Sequence, residues 1–410
     1  MHVAVLGAGV TGVTTAYYLT ENGHSVTVID RAPEVAAGAS WRNGGQLSYS
    51  FTEAFANPSL LRKLPGQILG FDDSIRVRPP INRHLINWGF ELLGQCTRQK
   101  AKLNTIFVLR LAMQSSRLLK DIRESIPLEF SFRRAGKLVM LGTQAELNSA
   151  RIAQELKEKE GCRTEILNFQ QACDIEPGLN RFSNSYIGAS WSKHDEVACP
   201  KKFCLGLSRW LMKNRGVEFL LNESIDQIET NGGRISRITM SSGSIEPDAA
   251  IVCLGVNSVE VLRPLGIKVN IYPLRGYSVT LPLGPDPVSA SITDLKSKIV
   301  FSRLGDKIRI AGLADILGPD FEQNGSKHDE HRIRDLVEIA HSLAPRIADF
   351  NAKTDDGWSG VRPMTTNSRP IVGPTDIEGL FLNTGHGMLG WTLACATGHA
   401  VAGQVHATAA

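Results

Sequence analysis

Val3-Ala-Val-Leu-Gly7-Ala-Gly9-Val-Thr-Gly12 and, past an amphipathic stretch to Asn22-Gly23, Ser25-Val-Thr-Val-Ile-Asp30 decide the fold of this chain. The apolar run Val3–Leu6 reads as a buried strand. Gly7-x-Gly9-x-x-Gly12 reads as the tight turn that follows it, where backbone approaches a pyrophosphate and a helix packs close to the strand. The helix N-terminus adds unpaired N–H groups and a partial positive charge. Asp30, at the end of the second strand, stands where a carboxylate accepts hydrogen bonds from an adenosine ribose. Strand, turn, helix, strand and terminal acid in register imply a dinucleotide site.

The 410 residues allow two domains with sizeable cores, and 42% hydrophobic with 21% charged residues is ordinary globular composition. A net charge of +4 without a basic–aromatic stripe argues against nucleic acid. The seven cysteines, at 96, 162, 173, 199, 204, 253 and 395, form no C-x-x-C pair and no zinc spacing. They read as reduced structural thiols, and no metal site is expected. The first strand begins at His2 or Val3, so no secretory leader is expected, and no run of eighteen apolar residues predicts a span. On these points a cytoplasmic location is the expectation. Between Leu60 and Lys137 stand fifteen Lys or Arg against six Asp or Glu. Basic residues interleaved with apolar ones in Leu60–Phe71 and Leu85–Leu93 have the composition of an interfacial helix, which makes peripheral contact with the inner face of the plasma membrane one reading. A helical layer with a solvated basic face is the other, and composition favours it.

Helical periodicity predicts helices over 103–125, 144–160, 201–214, 329–344 and 391–404, with β text over 216–254 and 267–313 and a closing strand at Leu380–Asn383. An early βαβ unit, late meanders and a terminal βα unit imply an α/β, Rossmann-like nucleotide domain assembled from separated segments, 1–55, 152–265 and 345–410. A substrate domain of antiparallel sheet plus helices, 56–151 and 266–344, is expected to be inserted between them.

Several constellations carry chemistry. Ser40-Trp-Arg-Asn43-Gly-Gly-Gln46-Leu-Ser48 follows the second strand and is rich in amides and hydroxyls. Leu382-Asn-Thr-Gly385-His386-Gly387-Met-Leu-Gly390-Trp391-Thr392 feeds a glycine loop into a helix, placing a second helix N-terminus near a ring that becomes anionic on reduction. Gly360-Val-Arg362-Pro-Met-Thr365 offers a planar cation able to clamp a carboxylate. Tyr272 and Tyr277 flank Arg275 along one strand, so one tyrosine faces a cavity and the other covers the sheet. His386 and His194 are candidates for proton handling. Beyond Gly7–Gly12 only Gly385–Gly390 fits G-x-G-x-x-G, with no strand and terminal acid after it, and no nucleophile elbow is present, so reducing equivalents come from the organic substrate.

From the first glycine turn to Thr384–Thr392, the chain resembles the D-amino-acid-oxidase superfamily of flavoproteins, and within it bacterial D-amino-acid dehydrogenases. The likeness covers essentially the whole sequence. It implies a glutathione-reductase-like FAD fold with non-covalent FAD, since no cysteine stands near Gly360–Thr365, where covalent-flavin relatives carry one. Cofactor contacts are then expected from Gly7, Gly9, Val10, Thr11 and Gly12, from Asp30 and Arg31, and from Ser40, Asn43, Gly44, Gly45, Gln46 and Leu47. Gly255, Gly360, Gly385, Gly387, Met388, Leu389, Gly390, Trp391 and Thr392 complete that set. Arg362 is expected to bind the substrate carboxylate, with Tyr277, Tyr272, Tyr49, His386 and Trp391 around the substrate.

The activity implied is oxidation of a D-amino acid by hydride transfer from Cα to flavin N5. The imino acid formed hydrolyses to a 2-oxo acid and ammonia, and electrons pass to a quinone. Tyr49–Phe55 lacks the proline–glycine start of the best-known members. Sequences of this kind also resemble D-hydroxyproline dehydrogenases, so D-hydroxyproline, D-proline and sarcosine-type secondary amines stay open as substrates. An electron-relay flavoprotein subunit is the alternative outside enzymes. Oligomeric state is not legible.

Overall fold

In the computed structural model, which describes residues 1–68, 75–77, 82–316, 327–352 and 357–409, two sheets organise the chain. The first has six strands in the order Ile371–Pro374, Leu380–Thr384, Ala249–Val252, His2–Leu6, Ser25–Asp30 and Glu218–Leu221. All neighbours run parallel except the outermost pair, Ile371–Pro374 with Leu380–Thr384. Alternation along the first strand explains its continuous apolar text. Val3 and Val5 pack with helices Val10–Glu21, Arg98–Ser125, Pro200–Arg215 and Gly390–Ala409. Ala4 and Leu6 pack on the opposite face, against the three-stranded sheet Ile225–Asn231, Arg234–Met240 and Gly243–Ile245. A parallel sheet covered on both faces needs apolar residues at every position.

The second sheet runs Trp358–Thr365, Ile271–Pro282, Lys307–Ile316, Ile299–Leu304, Ser291–Asp294, Lys137–Leu141, Gly188–Ser192 and Glu165–Asn168, with Ile75–Val77 pairing beside Lys307–Ile316. It is mixed rather than purely antiparallel, because Lys137–Leu141 lies parallel to Ser291–Asp294 and Ile75–Val77 parallel to Lys307–Ile316. Ile299 and Phe301 face a core shared with helix Lys327–Leu343, through its Leu336 and Ala340, while Val300 between them lines a cavity. Pro273 and Pro363 face each other across two of its strands. Neither has an N–H, so a directly opposed pair that exchanges no hydrogen bonds accommodates both.

Three strands reach the large sheet from distant parts of the chain: Glu165–Asn168 and Gly188–Ser192, within 152–265, and Trp358–Thr365, within 345–410, all pair in the nine-stranded sheet rather than the six-stranded one. Their partners are distant in sequence, so no local pattern in these short strands specifies which sheet they join. The segment Leu60–Phe71 is described only to residue 68; Leu69–Phe71 lie outside the described residues. Among the described residues no helix is long and apolar enough to cross a membrane.

Candidate active site

The expected turn is built as the glycines require. Gly7 has φ +109°, and a Cβ on Gly12 would lie 1.8 Å from the Gly7 carbonyl oxygen, so only glycine lets the helix start this close to the strand. Gly9 caps that helix with no side-chain cap of its own. The Asp30 carboxylate accepts from the backbone N–H of Ala8 at 2.6 Å and of Ala32 at 2.8 Å. Those bonds fix it at the strand end with lone pairs to spare.

Between the sheets lies a cavity of about 1390 Å³, lined from Gly7 and Asp30 at one end to Tyr277 and Arg362 at the other. Of the expected cofactor contacts, Gly7, Gly9, Val10, Thr11, Asp30, Arg31, Ser40, Asn43, Gly44, Gly45 and Gln46 line it. So do Gly255, Gly360, Gly387, Met388, Leu389, Gly390, Trp391 and Thr392. Gly12, Leu47 and Gly385 do not. Gly12 faces the turn, Leu47 is buried in the core, and Gly385 (φ +74°) packs against Thr365. Several polar groups expected to face a ring are engaged by protein. Ser40 Oγ accepts from Val10 N at 3.0 Å, and Asn43 Oδ1 accepts from Gly45 N at 2.9 Å. Gln46 uses both ends of its amide, accepting from Lys137 Nζ at 2.7 Å and donating to Ser291 Oγ at 2.5 Å.

Arg362 sits opposite Leu274 on the adjoining strand and borders the cavity. Its guanidinium lies against the backbone of Gly276, where a Cβ would stand 2.3 Å from a terminal nitrogen. Burial lowers its pKa from the ordinary arginine value, with Tyr277 opposing. No carboxylate among the described residues pairs with it. Tyr277 also lines the cavity, and its hydroxyl donates to Asp315 at 2.8 Å. Burial, reinforced by Asp315, holds the phenol protonated.

The histidines and the other aromatic candidates differ from expectation. His386 borders the cavity, but its Nε2 pairs with Thr397 Oγ1 at 2.9 Å, and burial pushes its pKa down to about 3. It is a neutral imidazole at working pH. His194 is exposed and lines no part of the cavity. Tyr49 lies behind the wall, donating to Glu196 at 2.9 Å. Tyr272 is covered by His84 and Trp88, so it is the tyrosine that covers the sheet. Their spacing of five puts the two on opposite faces of the strand, whose register with Trp358–Thr365 is unbroken, but spacing alone does not say which face borders the cavity. Trp391 touches the cavity while its indole donates to Ala198 O at 3.3 Å. Lys137, which sequence reasoning passed over as a strand residue, is 1% exposed and bonded to Gln46.

A dinucleotide turn opening into a cavity that ends at a cation defines a dinucleotide-dependent oxidoreductase fold. Over residues 2–404 the chain matches the DAO family, FAD dependent oxidoreductase, and it belongs to that family. D-amino acid dehydrogenase 2 of Ralstonia nicotianae is 35% identical over 96% of this chain and 94% of its own. D-amino acid dehydrogenase of Phenylobacterium zucineum is 35% identical over 99% and 94%, and that of Vibrio cholerae 34% over 96% and 92%. Among solved structures, glycine oxidase from Geobacillus kaustophilus superposes with a TM-score of 0.76 at 18% identity, covering 99% of this chain and 94% of that one. L-proline dehydrogenase from P. horikoshii gives 0.75 at 18%, covering 98% and 92%. The chain is therefore an FAD-dependent oxidoreductase. The cavity fits that cofactor: it is lined by residues from the glycine turn through to Arg362, carries the fixed Asp30 carboxylate, and has a helix N-terminus beside it.

Proposed function

We propose that the enzyme oxidises D-amino acids, and the observation that carries this reading is Arg362, a desolvated guanidinium on the cavity wall without a carboxylate partner among the described residues. A substrate carboxylate supplies the missing partner through two parallel hydrogen bonds. The D configuration is supported by the curated relatives, which are named D-amino acid dehydrogenases. FAD, when bound, accepts the hydride from Cα. The chain orients the substrate: Arg362 holds the carboxylate, Tyr277 closes the neighbouring wall, and neutral His386 adds no charge. The imino acid released hydrolyses in water to a 2-oxo acid and ammonia. In this reading the six-stranded sheet and its helices hold FAD, and the large sheet holds the substrate.

Leu274, Trp88 and Leu92, which line the cavity on the Arg362 side, are apolar and form one cluster. That surface suits a ring as well as an open side chain, and it favours D-proline or D-hydroxyproline as the second reading. The test is the anaerobic visible spectrum with D-alanine, D-proline, D-hydroxyproline and their L-forms added separately. Bleaching by D-forms only is expected, and the fastest one separates the two readings. Bleaching by L-forms alone, or by none, overturns the proposal.

We further propose a membrane quinone as acceptor. Ile86, Phe90 and Leu93 share one face of helix Arg83–Gln95, are 42%, 73% and 39% exposed, and border the cavity mouth. Exposed Arg62, Arg83, Arg98, Lys100 and Lys102 surround them in sequence. An apolar face among cations suits anionic lipid. Cosedimentation with anionic vesicles at low salt is expected, reversed by salt and weakened about 10- to 150-fold by Phe90→Ser, from the loss of about 1.5–3 kcal/mol of buried apolar side chain. Absence of vesicle binding removes the membrane from the proposal.

A further inference from the structure

Lys137 opens strand Lys137–Leu141 and is 1% exposed. Its ammonium donates to Gln46 Oε1 at 2.7 Å and to Thr293 Oγ1 at 2.8 Å, and lies 5.2 Å from the centre of the Phe51 ring. Gln46, Thr293 and Phe51 all border the cavity, whereas Lys137 stands behind them. An ammonium has donors only, which dictates how its neighbours are polarised. The Gln46 amide must turn its oxygen to Lys137, and its NH2 then goes to Ser291 Oγ. Thr293, accepting from Lys137, must send its own hydroxyl hydrogen elsewhere. Thr293 is 5% exposed and its side chain has no second partner among the described residues, so that hydrogen is left for the cavity's occupant.

We propose that Lys137 is a positioning residue that sets the hydrogen-bond polarity of the cofactor cavity: its ammonium makes the Thr293 hydroxyl a donor toward bound FAD and holds the Gln46 amide fixed beside it. The inference rests on the reading of this cavity as the FAD site.

The charges around Lys137 make the arrangement titratable. Burial pushes its pKa down to about 8; Asp195 and Glu53 oppose that fall and Lys157 adds to it. Asp195 is itself fixed by Ser50 N, Ser50 Oγ and Ser192 Oγ at 3.0, 2.9 and 3.1 Å, and Glu53 pairs with Lys157 at 2.5 Å. Below that pH the ammonium forces Thr293 to donate into the cavity. Above it the neutral amine can accept, and the hydroxyl is free to turn back toward Lys137.

The experiment is a titration of the visible spectrum of the substrate-free holoenzyme from about pH 6 to 9, on wild type, Lys137→Met, Lys137→Arg, Thr293→Val and Thr293→Ser. Wild type is expected to show one transition near pH 8. Lys137→Met should lack it and keep the high-pH spectrum, while Lys137→Arg should lack it and keep the low-pH one. Thr293→Val should lose the transition and Thr293→Ser restore it. A wild-type transition surviving in Lys137→Met or in Thr293→Val overturns the proposal. If Lys137→Met does not fold, the Thr293 pair decides alone, since those variants keep the ammonium. Asp30→Ala, expected to lose FAD, tests the cavity reading by itself: retention of FAD at wild-type strength sinks that reading without reference to Lys137.

Discussion

Replacing Arg362 with alanine is expected to lower kcat/KM for D-amino acids by about 30- to 5,000-fold, from the roughly 2–5 kcal/mol lost when one partner of a desolvated charge pair is truncated. FAD should stay bound, because the residue stands on strand Trp358–Thr365 of the large sheet, away from the dinucleotide turn. The magnitude follows from two features of the site. The guanidinium is already desolvated, so its own cost of dehydration does not recur when substrate arrives. It is also held in plane against Gly276, where any Cβ would collide with it, so little side-chain entropy is lost on binding. Arg362→Lys should recover only part of the loss, since an ammonium keeps the charge but not the two parallel hydrogen bonds. The measurement is anaerobic reduction by D-substrate in a stopped-flow instrument, which separates the apparent affinity from the rate of bleaching. Wild-type affinity in Arg362→Ala would refute the role.

The parts of this site visible in sequence were those with strict local geometry. Gly7, Gly9, Gly12 and Asp30 are fixed by one turn and one strand, and they line the cavity or shape its floor as their spacing required. The loop at Gly387–Thr392 behaves the same way. What escaped depends on pairing between distant segments. Pro273 stands inside the long strand Ile271–Pro282, tolerated because Pro363 faces it from the next strand, a pairing that no local pattern announces. Alternation separates Tyr277 from Tyr272, but that Tyr277 borders the cavity and Tyr272 lies under Trp88 depends on which distant segments pack on each face. Lys137 escaped for a different reason. A lysine at the start of a strand ordinarily points to water, and its burial appears only once Gln46 and Thr293, 91 residues before it and 156 after it, are brought alongside.

Asp315→Ala is expected to cost about 3–5 kcal/mol of stability, the usual result of stripping one partner from a buried ion pair. Asp315 and Arg332 are both fully buried, and the guanidinium grips the carboxylate through Nε at 3.1 Å and a terminal nitrogen at 2.9 Å. The same carboxylate accepts the Tyr277 hydroxyl, so its loss removes the two-point partner of a buried cation and the acceptor of a phenol together. Arg332 also reaches Asp335 at 3.0 Å, which softens the loss without removing it, because that carboxylate is 20% exposed. The pair joins strand Lys307–Ile316 to helix Lys327–Leu343, so helix and sheet should loosen as one unit. Denaturant unfolding followed by circular dichroism, with and without FAD, gives the size of the effect. Adding Arg332→Met to Asp315→Leu provides the decisive comparison. If the cost of the single variant is a stranded charge, the double variant should be more stable than Asp315→Leu alone, since two apolar side chains need no partner. A double variant whose losses simply add would mean that the contact acts through packing alone. Tyr277, left without an acceptor in either case, should then report through catalysis. Slower flavin bleaching at unchanged substrate affinity is the expected mark of a cavity wall that has lost its anchor.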